Sequence, residues 1–320
     1  MAPIERRDRG GIEAITLRDG EATAEVVPGL GAACVGFRLG GWRVLAEPPD
    51  DEALATKTSR YGIPVLYPWP NRVADGRFSF GGRALTVPVK APGPHANHGL
   101  ARDRAWTVAA AGPDQAGGVS VRCALDLPHP VFHSAIAVTY HLRGSTLTIT
   151  AAATNTGSDP MPFGFGLHPY FEIPPGHRSR CTIHAPAAAA WSLDGFIPDG
   201  RRVPVAGRLD LRAPRALGAD PYDDVLTALP PGPFTATLAD PVAGWSIAVR
   251  SDPSFREHVV YAPADRDVVC LEPYTCATDA FNLAARGIDG GMRVLAPGET
   301  WTGTVAITAS SPSTQASSLP

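Results

Sequence analysis

Glycine and proline punctuate this chain from end to end, 33 of each in 320 residues. Proline fixes φ and removes a backbone donor, and glycine weakens helix interiors, so few windows remain for a helix of several turns. Between the breaks lie short runs of alternating or β-branched residues, the period expected of strands. Residues 13–17 and 22–27 flank Asp19-Gly20, and residues 77–80 and 84–87 flank Gly81-Gly82; both pairs read as hairpins. Further strands are expected at 119–125, 135–141, 146–152, 235–238, 245–249, 258–261 and 301–307. The alanine-rich stretch 185–190 is interrupted by Pro186 and does not read as a helix; the best helix candidate is a turn or two at 50–55. Many short strands joined by Gly/Pro turns predict an all-β sandwich or barrel rather than an α/β fold.

At 44% hydrophobic residues the chain can bury a large core, on the order of 75% of its unfolded surface. No linker divides it. Residues 11–308 are expected to form one domain, with a flexible N-terminus at 1–10 and a disordered Ser/Thr/Pro/Gln-rich tail at 309–320. A formal net charge of −3 gives no electrostatic case for nucleic acid or an anionic membrane as partner. The five cysteines are scattered without metal or redox spacing and read as free thiols in a reducing compartment. No apolar h-region follows Met1, and no window approaches ~18 uninterrupted apolar residues, so the expected location is cytoplasmic.

One acidic residue stands in an awkward place. Glu272 follows the apolar run Val268-Val269-Cys270-Leu271 and precedes Pro273. A buried carboxylate costs several kcal/mol or more unless paired, and a proline after it is expected to end the strand ladder and place the acid at a strand-to-loop boundary. Read alone, Glu272 is equally a strand-end acid paired with an arginine. Four other segments carry polar side chains among turn formers. Residues 62–72, with three prolines, present Arg72 at the end of a stiff loop, either to hydroxyls or to loop carbonyls. Asn97-His98-Gly99 puts a histidine on a Gly/Pro-rich loop, as a ligand or as a solvated side chain. His168 ends the aromatic run 163–167 and is followed by Pro169, as a site residue or a satisfied core histidine. Asp223 and Asp224 precede an apolar run and either cap a turn or accept hydrogen bonds from hydroxyls. His129 and His133 are four apart, but Pro130 between them opposes a helix, so no metal site is expected. No phosphate-binding Gly-rich loop and no nucleophile elbow are present.

Together these segments resemble the aldose 1-epimerase, or galactose mutarotase, family. The matching pieces are residues 68–72 with Gly76 and Phe78, His98-Gly99-Leu100, His168-Pro169-Tyr170-Phe171, residues 223–226, and Leu271-Glu272-Pro273 followed by Thr275, Asp279, Ala280 and Asn282. They occur in the family's order and span roughly residues 10–308. The resemblance implies a single large antiparallel β-sandwich (a galactose mutarotase-like supersandwich) with very little helix and an open cleft for a monosaccharide. It implies Glu272 as catalytic base and His168 as catalytic acid, with Arg72, His98 and Asp223 binding hydroxyls and Asn71, Tyr170 and Trp69 as further substrate contacts. Asp224 is adjacent and competes with Asp223 for its role. The stretch Tyr274-Thr275-Cys276-Ala277 departs from the Gln and Pro that family members often carry there, which bears on sugar preference.

Mutarotation of a free hexose needs one group to take the anomeric hydroxyl proton and another to protonate the ring oxygen. It calls for no metal and no redox cofactor. A carboxylate near pKa ~4.3 and a histidine near ~6.5 would serve without large shifts. Two alternatives remain at this level. One is a hexose-6-phosphate 1-epimerase, for which Arg60 and Arg102 lie near the motifs; the other is a non-catalytic carbohydrate-binding protein. The expected assembly is a monomer or homodimer.

Overall fold

A computed structural model describes residues 2–90 and 93–311. The fold is all-β and antiparallel. Nine strands form the largest sheet, in the order Thr107–Pro113, Val119–Leu127, Ser134–Arg143, Thr146–Asn155, Thr300–Ser310, Trp245–Ser251, Phe234–Asp240, Thr182–His184 and Arg215–Ala216. Its central strands alternate buried and half-exposed residues, the pattern of a sheet with one face on a core. On the half-exposed face, threonines pair across the two central strands: Thr146 with Thr308 at 3.0 Å, Thr150 with Thr304 at 3.3 Å, and Thr154 with Thr300 at 2.8 Å.

The second sheet carries the chemistry. Its strands are β1 (Val65–Leu66), β2 (Gly166–Leu167), β3 (Tyr170–Glu172), β4 (Ala189–Asp194), β5 (Ile197–Pro204), β6 (Tyr222–Thr227), β7 (Glu257–Ala262) and β8 (Val268–Tyr274). They run β5-β4-β6-β7-β8-β2-β1, with β3 pairing β8 beside β2. Five N-terminal strands, from Ile4–Asp8 to Trp42–Arg43, make a third sheet. Buried side chains from all three sheets, among them Ile15, Ile136 and Leu271, join in one cluster, so one core serves the whole assembly.

The fold also corrects several expectations. Residues 4–8, expected to fray, pair with Glu13–Asp19 as an edge strand. The last strand runs through Ser310, two residues beyond the expected domain limit, and residues 312–320 of the expected tail lie outside the described residues. The helix expected at 50–55 is α1 (Asp51–Lys57), with Asp50 Oδ1 accepting from Ala53 N at 2.7 Å. A second short helix, α2 (Ala280–Ala285), carries no cap of ordinary type, since Asp279 before it has φ of 57°. No described helix is long and apolar enough to cross a membrane.

Pro273 does not end the ladder. β8 continues through it, with Pro273 opposite His258 and Tyr274 opposite Glu257. The register supplies the reason. On its other edge β8 meets β3 at Val268–Cys270 and β2 only at Tyr274, leaving residues 271–273 without a ladder partner on that side. A residue lacking an N–H fits in such a strand, and Glu272 therefore sits inside a strand, facing a seam between β2 and β3.

His258 lies on the opposite face of β7, packed 5.0 Å from the Phe234 ring, and neither ring nitrogen has a hydrogen-bond partner among the described residues. Burial pushes its pKa down to about 3. The unfolded chain then binds a proton between pH ~6.5 and the native value that the native state refuses, so this contribution is whole above pH ~6.5 and is lost as pH falls. The loss amounts to about 2 kcal/mol by pH 5. Between pH 7 and 5, urea unfolding of wild type is expected to lose about that much more stability than His258→Leu; equal losses would show that His258 is protonated in the native state.

Candidate active site

Side chains alternate along β8, so Cys270, Glu272 and Tyr274 share a face while Val269 and Leu271 enter the core. Register extends that face across the sheet. Val259 of β7 stands opposite Glu272, Tyr261 opposite Cys270, and Asp223 of β6 opposite Tyr261. His168 reaches the same place from the connection between β2 and β3, the seam that residues 271–273 face. Its Nε2 is 3.4 Å from Glu272 Oε1. The Tyr170 ring stacks on the imidazole at 4.4 Å and 8°, and Tyr274 Oη donates to Glu272 Oε2 at 2.5 Å. Glu272 is 1% exposed and His168 8%.

Two loops close one side of this floor. Asn71 N donates to His98 Nδ1 at 3.2 Å, and His98 N donates to the Asn71 carbonyl at 2.7 Å, so each loop holds the other. Both residues have positive φ, 53° and 60°. Arg72 Nη1 donates to Asn71 Oδ1 at 2.8 Å, and its guanidinium lies 4.1 Å over the Phe196 ring. Asp279 supports the Arg72 loop from behind: its N–H donates to the Arg72 carbonyl at 2.8 Å, and its Oδ1 accepts from Ala74 N at 2.9 Å. Gly99 packs so tightly that a Cβ there would lie 2.2 Å from the Tyr67 carbonyl oxygen, at φ of +72°. Gly99→Ala is expected to cost roughly 2–4 kcal/mol, as backbone strain plus a displaced loop; thermal unfolding checks it.

A cleft of about 230 Å³ results. Every residue expected at the site lines it except Trp69. Trp69 is a correction: its ring is buried against Phe132 at 5.6 Å and Phe281 at 6.5 Å, because the backbone after Pro68 turns it into the core. Tyr170 lines the cleft, but not as an open stacking platform, since His168 covers one face of its ring and the Arg266 guanidinium lies 5.5 Å from its centroid. Between the paired aspartates the register decides. Asp223 stands at the mouth of the cleft, whereas Asp224 is engaged by both terminal nitrogens of Arg208, at 2.6 and 3.0 Å.

Charge at the floor differs from the expectation of ordinary pKa values. Burial drives the Glu272 carboxyl well above its usual range; the Tyr274 hydrogen bond opposes this, and Asp223 adds to it. Burial pushes His168 down to about 3, with the positive charges of Arg102, Arg266 and Arg72 acting the same way. His98 is also driven well down, first by burial and then by His168, Arg102 and Arg72. Asp223 is raised by desolvation, against the pull of Arg72. A burial-favoured floor is thus a neutral acid beside a neutral imidazole. Cys270 joins His168 and Glu272 in a group whose ligand atoms lie within 4.8 Å of one another. Burial raises its thiol far above the usual range, and a thiol is a far poorer metal ligand than a thiolate.

With this geometry in place, comparison with known proteins is direct. The family model described as aldose 1-epimerase matches residues 13–308. The chain belongs to the aldose 1-epimerase family. Among curated relatives, the uncharacterized protein YphB of Escherichia coli K12 is 28% identical over 280 residues, covering 82% of this chain and 89% of that protein. Among solved structures, a galactose mutarotase-like protein from Clostridium acetobutylicum superposes with a TM-score of 0.87 at 23% identity, covering 96% of this chain and 98% of that one. Galactose 1-epimerase from Lactobacillus acidophilus NCFM superposes with a TM-score of 0.79 at 18% identity, covering the same shares. At these identities the structural matches speak for the fold, the galactose mutarotase-like sandwich.

Four residues of this family member's cleft escaped the sequence reading. Tyr274 lies two residues from Glu272, Val259 stands opposite Glu272 and Tyr261 opposite Cys270, so period-2 alternation along β7 and β8 was the available signal. Tyr274 also begins the stretch that departs from the family pattern, and it spends its hydroxyl on Glu272. Phe196, at the tip between β4 and β5, had no signal: an apolar residue next to Gly195 gives no hint that it is 49% exposed over Arg72.

Proposed function

We propose that this protein is an aldose 1-epimerase that interconverts the α and β anomers of a hexose whose anomeric carbon is free, with Glu272 as base and His168 as acid. The observation that carries the reading is the 3.4 Å approach of Glu272 Oε1 to His168 Nε2 at the floor of a cleft rimmed by Arg72, His98 and Asp223. The Glu272 carboxylate takes the proton of the anomeric hydroxyl. Its electron pair becomes the carbonyl bond, the bond between C1 and the ring oxygen breaks, and the ring oxygen takes a proton from the His168 imidazolium. Rotation about C1–C2 turns the other carbonyl face, and closure runs the transfers backwards. Arg72 and His98 donate to hydroxyls and Asp223 accepts from one, holding the sugar while C1 turns.

The pair needs a single proton for this cycle. Carboxylate with imidazolium, and carboxylic acid with imidazole, hold the same number, and one proton transfer between the two side chains interconverts them. Burial favours the uncharged form. Sugar hydroxyls favour the charged one by hydrogen-bonding the carboxylate. The two forms are also the beginning and end of ring opening, so neither is a trap.

Polarimetry on freshly dissolved α-glucose and α-galactose tests the reading. Wild-type protein is expected to bring the rotation to equilibrium faster than buffer. A time course that matches the buffer blank for a panel of hexoses, together with calorimetric sugar binding, would favour a non-catalytic sugar binder.

A further inference from the structure

A second cleft, of about 400 Å³, adjoins the catalytic one and shares Arg72, His98, Tyr170 and Phe196 with it. Its remaining wall includes Arg60, Lys90 and Arg102, with Ser59 beside them, and no aspartate or glutamate lines it. Arg60 makes no ion pair among the described residues; only its backbone carbonyl is used, by Arg266 at 3.0 Å. Arg102 has a buried Nε with no hydrogen-bond partner, 3.6 Å from an Asp103 oxygen, and Lys90 bonds the same carboxylate. Arg72 makes no ion pair either and rests on Phe196 and Asn71. Four cations thus border one space whose lining holds no carboxylate; Asp103 stands behind Lys90 and Arg102, and Asp223 and Glu272 face Arg72 from the first cleft. The charges of Arg72 and Arg102 reach the catalytic floor, since both depress His98 and His168.

Such a wall is costly in the absence of an anion, because like charges repel and a low-dielectric cleft focuses their field. A neutral hexose, held by its hydroxyls in the first cleft, uses only Arg72 of the four. A phosphate or carboxylate does, because guanidinium forks match its oxygens in paired, charge-assisted hydrogen bonds. We propose that the substrate is an aldose bearing an anionic group on the end of the sugar remote from C1, seated between Arg60, Arg102 and Lys90 while C1 lies at Glu272 and His168. This inference rests on the epimerase reading for the placement of C1, and on the second cleft alone for the charge. Phe196 and Tyr170, common to both clefts, stand where the sugar ring passes from one to the other.

The test compares mutarotation of glucose 6-phosphate, glucuronic acid and glucose at low ionic strength, in wild type, Arg60→Ala and Arg60→Ala/Lys90→Met. Wild type is expected to show kcat/KM about tenfold or more higher for at least one anionic sugar, and the double variant to lose most of that advantage while its rate on glucose stays within about twofold. Preference for glucose 6-phosphate assigns the cleft to a phosphate ester; preference for glucuronic acid assigns it to a carboxylate. Equal kcat/KM for charged and neutral sugars in wild type, or equal losses on all three in the variants, would overturn the proposal. Calorimetry of the same sugars on Glu272→Gln separates this outcome from failure of the enzyme reading. Tighter binding of an anionic sugar, lost with Arg60 and Lys90, upholds the cleft even if no sugar is turned over; indifference to charge there refutes it.

Discussion

Glu272→Gln is expected to lower kcat for mutarotation by about 10²–10⁴-fold, the range that one acid–base group supplies. The fold should survive intact. Glutamine keeps an oxygen to accept from Tyr274 Oη and an amide to donate toward His168 Nε2, the two contacts the carboxyl makes at 2.5 and 3.4 Å. Stability should move in the opposite direction from activity. The Glu272 pKa is raised in the native state, so its stabilising contribution is whole below the ordinary carboxyl value of 4.5 and is lost as pH rises through the native value. Glutamine carries no charge to desolvate at any pH. At neutral pH the variant is therefore expected to unfold at an equal or higher denaturant concentration than wild type, while polarimetry reads a rate near the buffer blank. A variant that loses activity and stability together would place Glu272 among the supports of the sheet instead.

The pH profile of kcat/KM carries the second large effect. Independent groups at the ordinary values of 4.5 and 6.5 would be jointly in the carboxylate–imidazolium form only between those limits. The buried pair holds its one proton over a wider range. A second proton is refused until pH approaches the His168 value of about 3, and the single proton stays until pH passes the raised Glu272 value. Activity is thus expected to persist below pH 4.5, where an independent Glu272 would be switched off. On the alkaline side it should fall about tenfold per pH unit as the pair loses its proton. Limbs centred near 4.5 and 6.5 would refute a shared proton and return the two residues to separate titration. Both limbs belong to the pair, so His168→Asn should remove the profile's shape as well as its height.

How far the sequence reaches is visible residue by residue. Strands with one exposed face announced themselves, because alternation is written into stretches such as Thr146–Asn155. β8 was legible as a buried strand for a different reason, its unbroken apolar run, yet its end was misplaced at Pro273. A proline's cost depends on whether its missing N–H faces a partner, and only the register shows that residues 271–273 face a seam. The short edge strand at Ile4–Asp8 was hidden by its charges, Arg6 and Arg7, which pair with Glu13 and Glu25 once the sheet forms. For the site, family motifs located Glu272, His168, Arg72, His98 and the aspartate pair. They did not say which way Trp69 turned, because an indole suits a core and a sugar equally well, and the choice is made by Phe132 and Phe281, distant in the chain. Charge states were beyond reach for the same reason: burial of His168 and Glu272 is a property of the assembled sheet.

The turn that carries Phe196 gives this molecule a way to change. Glu272 stands on a strand paired on both flanks, and its partner projects from a connection fixed to the same strand; neither tolerates displacement. The tip between β4 and β5 is bound by no such requirement, for its side chain is half in solvent and borders the clefts at their junction, resting on Arg72. Insertions and substitutions at residues 194–197 would reshape the entrance without disturbing the proton-transfer distance. Lineages could trade one sugar for another there at little risk to the reaction, and a combinatorial library confined to that tip is the economical route to a new specificity.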